Sequence, residues 1–253
     1  MTQLLREVRP TVIIDTLGAG HGQASWSELV RVHLVGTDNL LKASRELRAP
    51  AACIVTSSSA VYGEPAVERV TEAQTMNSVS PYGLAKSMQE QLVAFASRMD
   101  LARMVLIRPF NLIGPGIPEA LVAGRIARQL ALMELGRQAP VLQTGGLAAY
   151  RDFVDVRDVA AALLAVAVAG QRGVAYNVYA GAAVRVGALV ECFLHSAHAP
   201  VVKVESTEGF GVYDVARQCG DYSRLRADTG WLPRIPLMVS VEDTLTQWRE
   251  ELS

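Results

Sequence analysis

Short apolar segments alternate with longer helical segments in the first half of the chain, and this alternation limits the fold more than any other feature. The apolar segments are Thr11–Leu17, Ala52–Thr56 and Met104–Ile107, and glycine, serine or proline follows each of them closely. Strands that are apolar on both faces belong to parallel sheets that helices cover on both sides. The sequence therefore predicts an α/β fold built on a parallel sheet.

The helices of this first half have recognisable starts. Ser25 begins a Ser-x-x-Glu capping box that ends at Glu28, and Ser80 precedes a proline, which is favoured at the first helical position. The second of these helices is predicted to run to about Met99. Beyond residue 111 the pattern is less regular, so we predict a small C-terminal substrate lobe. In this division residues 112–253 contain the lobe and further sheet elements, intertwined with a core of residues 1–111.

Composition and charge exclude several classes of protein. Lysine and arginine total 24, and aspartate and glutamate total 25, so no excess of positive charge is available to bind nucleic acid. The longest wholly apolar run, Val159–Ala169, is shorter than the roughly 18 residues of a membrane-spanning helix. Cys53, Cys192 and Cys219 form no CxxC pair, which favours a reduced, cytoplasmic protein. We predict that the protein binds neither nucleic acid nor membranes.

Two histidines have a spacing that metal sites use. His195 and His198 are three positions apart, but no third Cys, Asp or Glu ligand is evident beside them. Ordinary histidines at a helix end explain the pair better, and no metal is predicted.

The residues best suited to chemistry are Tyr82 and Lys86, four positions apart in the helix that follows Ser80. This spacing places both side chains on one helix face, one turn apart. A nearby cation stabilises a phenolate, so the lysine is expected to lower the pKa of the tyrosine from about 10 towards values useful for proton transfer. A hydroxyl at a strand end, such as those of Ser57–Ser59, can orient the phenol. Alone, the Tyr-x-x-x-Lys pattern is weak because any exposed helix face can carry it.

Motifs around Tyr82 and Lys86 occur in a fixed order that is more specific than the pair. Ser57–Gly63 precedes the Tyr-x-x-x-Lys helix, and Arg108–Gly116 follows the next strand. Together they resemble the extended short-chain dehydrogenase/reductase family of nucleotide-sugar epimerases, dehydratases and reductases, and most of all the reductases of GDP-4-keto-6-deoxy-mannose. Further motifs that carry the resemblance are His33–Thr37, Tyr150–Asp158, Tyr176–Val178 and Thr229–Pro233.

The resemblance implies catalytic roles for three side chains. Ser58 is the expected catalytic hydroxyl, Tyr82 the acid/base, and Lys86 the cation that lowers the pKa of the tyrosine. The 4,6-dehydratases of the family have an acidic pair after the catalytic hydroxyl, and here those positions are Ser59 and Ala60. A 4,6-dehydratase is therefore not expected.

The resemblance also implies residues that bind two ligands. Pro109, with Tyr82 and Lys86, is expected at the nicotinamide of NAD or NADP. Asn111 is expected to contact a nucleotide-sugar substrate, and Arg151 to pair with its diphosphate, which a guanidinium fork suits. A structural role for Asn111 and Arg151, such as pairing of the arginine with a neighbouring aspartate, is an equal alternative.

One part of the family pattern is absent from the 253 residues. The family begins with a Gly-x-x-Gly-x-x-Gly turn that holds the dinucleotide pyrophosphate, and Gly18–Gly22 lacks the third glycine at the required spacing. We therefore expect a Rossmann-like parallel sheet lacking its N-terminal βαβ portion, with an exposed edge that another chain covers. The cofactor is then NAD or NADP, or none. His33 is a second departure, because the family usually has asparagine there.

Three functions remain open at this point. The first is reduction or epimerisation at the 4-keto group of a nucleotide-linked sugar. The second is a cofactor-independent elimination, isomerisation or cyclisation, as in natural-product biosynthesis, and the third is that of a non-catalytic partner subunit. A homodimer is expected because the Tyr82 helix usually packs against a partner in this family, and here it offers Met88, Leu92 and Phe95.

Overall fold

The computed structural model describes residues 1–19, 24–46, 52–99, 103–198, 201, 203–207 and 215–253, so most of Gly18–Gly22 lies outside the described residues. The strands are β1 Val12–Asp15, β2 Ala52–Thr56, β3 Arg103–Pro109, β4 Asn111–Ile113, β5 Val141–Gly145, β6 Tyr150–Asp155, β7 Ala175–Val178, β8 Ala183–Arg185, β9 Lys203–Thr207 and β10 Arg217–Gln218. The helices are α1 Thr2–Val8, α2 Trp26–Leu29, α3 Gly36–Arg45, α4 Pro81–Arg98, α5 Val122–Glu134, α6 Val156–Ala169, α7 Val186–Ser196, α8 Ser223–Thr229 and α9 Leu237–Leu252. A π-helical segment, Val30–Val35, joins α2 to α3, and a 3₁₀ turn, Ser59–Tyr62, follows β2.

The main sheet has four parallel strands in the order β1-β2-β3-β7. This arrangement confirms the predicted α/β fold with a parallel sheet. The predicted strand Ala52–Thr56 has the bounds of β2, and the helix predicted after Ser80 is α4. In the described part of the chain β1 is an outer strand, and its Val12 and Ile14 are each more than a third exposed.

Alternate residues of β2 face opposite layers of the molecule. Cys53 and Val55 pack with Val93 of α4 on one side. Ala52 and Ile54 pack against α6 on the other. Since successive side chains of a strand point to opposite faces, a strand with helices on both sides must be apolar throughout.

The lobe contains two smaller sheets. In the first, β6 lies between β4 and β10 with β8 antiparallel to it, and in the second β5 pairs with β9. The lobe core joins α5, α7 and α9 through wholly buried residues such as Leu130, Phe193 and Leu245. Because α5 and β4 directly follow β3, this lobe lies beside the ends of the main strands.

Helix α6 covers only one side of the main sheet. It buries Ala162 and Val166 and exposes Leu164 and Val168. Neither it nor any other helix in the described ranges is both long and apolar enough to cross a membrane.

Candidate active site

A cavity of about 690 Å³ opens at the carboxyl ends of the main strands. Thr56–Ala60, Tyr82, Lys86 and Pro109–Leu112 line it from the sheet side, and α5 and Arg151 line it from the lobe side. Ligands of open α/β sheets bind in the crevice outside the carboxyl ends of the strands. The cavity therefore lies where a substrate of this fold is expected.

The start of α4 is fixed by a cap and by a close approach. The Ser80 hydroxyl accepts a hydrogen bond from the Gly83 backbone N–H at 3.0 Å, and Pro81 occupies the first turn. A Cβ atom on Gly83 would lie 2.5 Å from the carbonyl oxygen of Ala60, so only glycine lets the helix lie this close to the 3₁₀ turn. Tyr82 is thereby held next to the residues that follow β2.

Ser58 and Tyr82 meet at the cavity wall. The Ser58 hydroxyl oxygen caps the 3₁₀ turn by accepting from the Ala60 N–H at 3.2 Å, and the hydroxyl also hydrogen-bonds to the phenol. Desolvation raises the pKa of Tyr82 above its usual value, and the contact with Ser58 opposes this by favouring the phenolate. Ser58 is thus both a strand-end cap and a partner of Tyr82.

The expected lowering of the tyrosine pKa is wrong for this structure, where the pKa of Tyr82 is raised because desolvation outweighs the hydrogen bond with Ser58. The Lys86 Nζ atom is 5.9 Å from the centre of the Tyr82 ring. It donates instead to the Thr56 carbonyl oxygen at 2.6 Å and to Gln89 Oε1 at 3.1 Å. Burial lowers the pKa of Lys86 to about 8, although Asp15 and Glu90 act in the opposite direction.

A buried polar network lies beneath the cavity. The carboxylate of Glu90 on α4 accepts from the Ser57 hydroxyl and from the Arg108 guanidinium, whose Nε is 2.8 Å away. Arg108 also donates to the Tyr62 hydroxyl at 2.7 Å, and Tyr62 donates to Asn177 at 2.7 Å. The network ties α4 to the ends of β2, β3 and β7, so it sets the positions of the strand end and of the helix that carry Ser58 and Tyr82.

The predicted ligand-binding residues also line the cavity. Pro109 ends β3, Asn111 begins β4 and donates to the Asp152 carbonyl oxygen at 3.3 Å, and Arg151 lies on β6 with an N–H 2.9 Å from the Tyr150 carbonyl oxygen. The carboxylate of Asp152 accepts from two backbone N–H groups, and that of Asp155 pairs with Arg157.

Sequence reasoning missed Arg125 and Gln218 at this cavity. Arg125 is an exposed residue of the amphipathic helix α5, and a charged residue on the polar face of such a helix does not indicate a cavity. Gln218 makes two hydrogen bonds to Ser59, from the Ser59 hydroxyl at 3.0 Å and to the Ser59 carbonyl oxygen at 2.9 Å. Its position depends on the pairing of β10 with β6, which no local pattern indicated.

His33 lies behind Tyr82. It is fully buried in the π-helical segment, and its ring meets the Tyr82 ring edge-on, with centres 5.7 Å apart and planes at 80°. The imidazole therefore packs against the phenol at the position where an asparagine was expected. Within the described ranges, no three His, Cys, Asp or Glu side chains are grouped so that they could hold a metal ion.

Comparison with known proteins gives consistent results. The model of the NAD dependent epimerase/dehydratase family matches residues 1–180. GDP-6-deoxy-D-mannose reductase from Pseudomonas aeruginosa is 31% identical over 96% of this chain and 82% of its own length. dTDP-6-deoxy-L-talose 4-dehydrogenase (NAD(P)(+)) from Kitasatospora kifunensis is 26% identical over 97% of this chain and 78% of its own length.

A solved structure has the same fold over nearly the whole chain. The structure of RMD from Pseudomonas aeruginosa complexed with NADPH superposes with a TM-score of 0.85 and 30% identity, covering 95% of this chain and 82% of that one. The α/β architecture is therefore shared with a protein whose solved structure contains NADPH.

Proposed function

Because the chain belongs to the NAD dependent epimerase/dehydratase family, we propose that it reduces or epimerises the 4-keto group of a nucleotide-linked sugar. The observation that carries this proposal is the convergence of Ser58 and Lys86 on Tyr82 in the lining of a cavity that arginines of the lobe also line. An acid, a hydroxyl and a cation at one wall suit a carbonyl group whose oxygen must gain or lose a proton.

In this proposal Tyr82 donates its hydroxyl proton to the carbonyl oxygen while the carbonyl carbon gains a hydride. Ser58 hydrogen-bonds the same oxygen and the phenol, which holds both in line. The raised pKa of Tyr82 keeps the phenol protonated before the reaction, and the Ser58 hydrogen bond stabilises the phenolate that remains. The Lys86 ammonium, 5.9 Å from the centre of the ring, adds a positive charge on that side. The proton and the hydride move in the opposite direction when an alcohol is oxidised.

The residues present fit the nicotinamide end of NAD or NADP. Among the described residues, Lys86 uses two of its three N–H donors on protein oxygens, so one remains for the cavity, and Tyr82 adds a hydroxyl. These groups suit the hydroxyls of a ribose, while Pro109 gives the wall an apolar surface. When bound there, the cofactor supplies or accepts the hydride.

The lobe side of the cavity suits the nucleotide part of the substrate. Arg151 on β6 and Arg125 on α5 both line it, and guanidinium groups bind phosphate oxygens in a bidentate manner. Asn111 at the start of β4 lines the same cavity, and its amide can hydrogen-bond to the sugar. We therefore assign the diphosphate to the arginines and the sugar to Asn111.

A second copy of the chain is the proposed partner of α4. Leu84, Met88 and Phe95 on this helix and Met99 directly after it are each at least 36% exposed, and Leu92 is partly buried beside them. An exposed apolar stripe of this length on one helix favours an interface. Sedimentation at micromolar concentration is expected to show a dimer, and Phe95→Glu is expected to give a monomer; a wild-type monomer would contradict this assignment.

Calorimetric titration with NADPH and NADH tests the cofactor assignment. We expect the wild type to bind one of them and Lys86→Met to bind it about tenfold or more weakly, since a charged hydrogen-bond donor is lost. Turnover of GDP-, dTDP- or UDP-linked keto-sugars should then require the nicotinamide. Turnover without it would indicate redox-neutral proton transfer by the same side chains, and neither binding nor turnover would indicate a non-catalytic partner subunit.

A further inference from the structure

A chain of hydrogen bonds runs from α3 through α4 to Lys86. Gln89 Oε1 accepts from the Lys86 ammonium at 3.1 Å, and Gln89 Nε2 donates to the Thr37 hydroxyl oxygen at 2.8 Å. Lys86, Gln89 and Thr37 are each no more than 2% exposed. Neither Gln89 nor Thr37 is among the site residues that the sequence predicts.

The order of the bonds fixes which way the Gln89 amide faces. If the amide were turned over, its NH₂ group would face the ammonium, and two donors would oppose each other. With the carbonyl oxygen towards Lys86, the NH₂ group meets the Thr37 oxygen, which can accept. The ammonium, which can only donate, therefore selects the orientation of the Gln89 amide, and Thr37 stabilises that orientation by accepting from its NH₂ group.

We propose that Gln89 and Thr37 are positioning residues that hold the Lys86 ammonium at the cavity wall. The ammonium is fixed from two sides, by the Thr56 carbonyl oxygen at the end of β2 and by Gln89 one helical turn along α4. One N–H is then left for the cavity, in a fixed direction. The effect of this arrangement on turnover rests on the proposed function. The hydrogen bonds that hold the ammonium do not depend on that function.

Other charged groups surround Lys86, and they act differently from Gln89. Asp15 at the end of β1 and Glu90 on α4 favour the ammonium through space. Glu90 is itself bound by Arg108 of β3 and by Ser57, and Tyr82 places its ring towards Lys86 with His33 behind it. Gln89 is thus a neutral side chain that binds the ammonium directly, so its removal should change the titration midpoint of Lys86.

The lysine content of the chain makes this measurable without a substrate. Lys42, Lys86 and Lys203 are the three lysines of the sequence. Lys42 and Lys203 lie at the surface, with side chains 67% and 64% exposed. A sample labelled with ¹³C at lysine Cε should give three NMR signals, which Lys42→Arg and Lys203→Arg assign, and a pH titration should show Lys86 titrating well below the other two.

The variants of Gln89 should move this titration in opposite directions. Gln89→Leu removes an acceptor from a buried cation and is expected to lower the Lys86 midpoint by about one pH unit. Gln89→Glu places a carboxylate there and is expected to raise it by about one unit. Thr37→Val should shift the midpoint in the same direction as Gln89→Leu but by less. The Gln89 amide then loses its hydrogen bond to Thr37, but its oxygen can still accept from Lys86.

Matched controls separate positioning from general loosening of the fold. Gln129 and Thr244 are a buried glutamine and a buried threonine of the lobe, with hydrogen bonds of their own that do not involve Lys86. Gln129→Leu and Thr244→Val should leave the Lys86 midpoint unchanged. The proposal is overturned if Gln89→Leu and Gln89→Glu leave the midpoint unchanged or shift it in the same direction; should Gln89→Leu not fold, Gln89→Glu and Thr37→Val decide.

The experiment also distinguishes this proposal from that of the function. Absence of cofactor binding and turnover in the wild type would refute the proposed function while the NMR titration still reported on Gln89. Conversely, if the wild type is active but the Gln89 variants leave the Lys86 midpoint unchanged, the positioning role alone is refuted.

Discussion

The floor of the cavity and the core of the lobe are buried to the same degree but are built from opposite kinds of residue. The floor is the polar network beneath the cavity, in which Tyr62, Glu90 and Arg108 are each less than 7% exposed. The lobe core is made of residues such as Leu130 and Phe193, which are fully buried. A buried charge is tolerated only with specific partners, whereas a buried leucine needs only a space of the right volume. The floor therefore fixes geometry, and the lobe core supplies packing.

The largest effect is expected at the cavity wall itself. Tyr82→Phe removes the proton donor and should lower kcat by about 10²–10⁴-fold, while the melting temperature stays near that of the wild type. Tyr150→Phe, on a partly exposed tyrosine outside the cavity lining, is the matched control and should retain activity. Full activity of Tyr82→Phe would remove the acid/base role.

The floor should respond to loss of a single partner. Glu90→Gln leaves the Arg108 guanidinium buried without its counter-charge and should cost about 3–5 kcal/mol of the free energy of unfolding, measured by urea denaturation. The double variant Glu90→Gln/Arg108→Met should recover part of this loss, because no unpaired charge remains. A double variant that is less stable than either single variant would show that the network acts mainly through packing.

The lobe core should lose stability without losing chemistry. Leu130→Ala opens a cavity in the packing of α5 and should cost about 3 kcal/mol. Activity per folded molecule should stay close to that of the wild type, since no side chain of the floor moves. If kcat per folded molecule fell as well, the distinction between floor and lobe would be lost.

The smallest effect is a dependence of stability on pH. Burial lowers the pKa of Lys86 in the folded protein to about 8, whereas the unfolded chain keeps the ordinary value of 10.5. Above pH 8 the unfolded state binds more protons than the folded state, so folding becomes more favourable as the pH rises towards 10.5. Relative to Lys86→Met, the wild type should gain about 2 kcal/mol between pH 8 and pH 10. A flat difference between the two proteins would mean that Lys86 is not desolvated.

The sequence predicted the parts of the fold that local patterns determine. β2 and α4 were placed closely because an apolar run and a capped, proline-initiated helix have short-range signals. The described strands of the lobe, which all have two to six residues, were missed because partners far away in the chain determine them, as Tyr150 does for Arg217.

The candidate site, like the fold, could be predicted only where short sequence motifs determine it. Motif order indicated Ser58, Tyr82 and Lys86, and all three line the cavity. Gln89 could not be found in this way, and the His33–Thr37 motif did not indicate the role of Thr37, since the bond between the two residues depends on how α3 packs against α4. The direction of the Tyr82 pKa was also missed, because a helical spacing gives the distance to a cation but says nothing about desolvation.

The pair of hydrogen bonds between Ser59 and Gln218 has a consequence for how the molecule folds. The two residues are 159 positions apart, yet Ser59 directly follows Ser58 at the cavity wall. Contacts of such sequence separation form late, because the closure of a long loop must precede them. During synthesis the wall would stay incomplete until β10 has left the ribosome and paired with β6. The main sheet of the emerging chain can thus form before the wall of the cavity is complete.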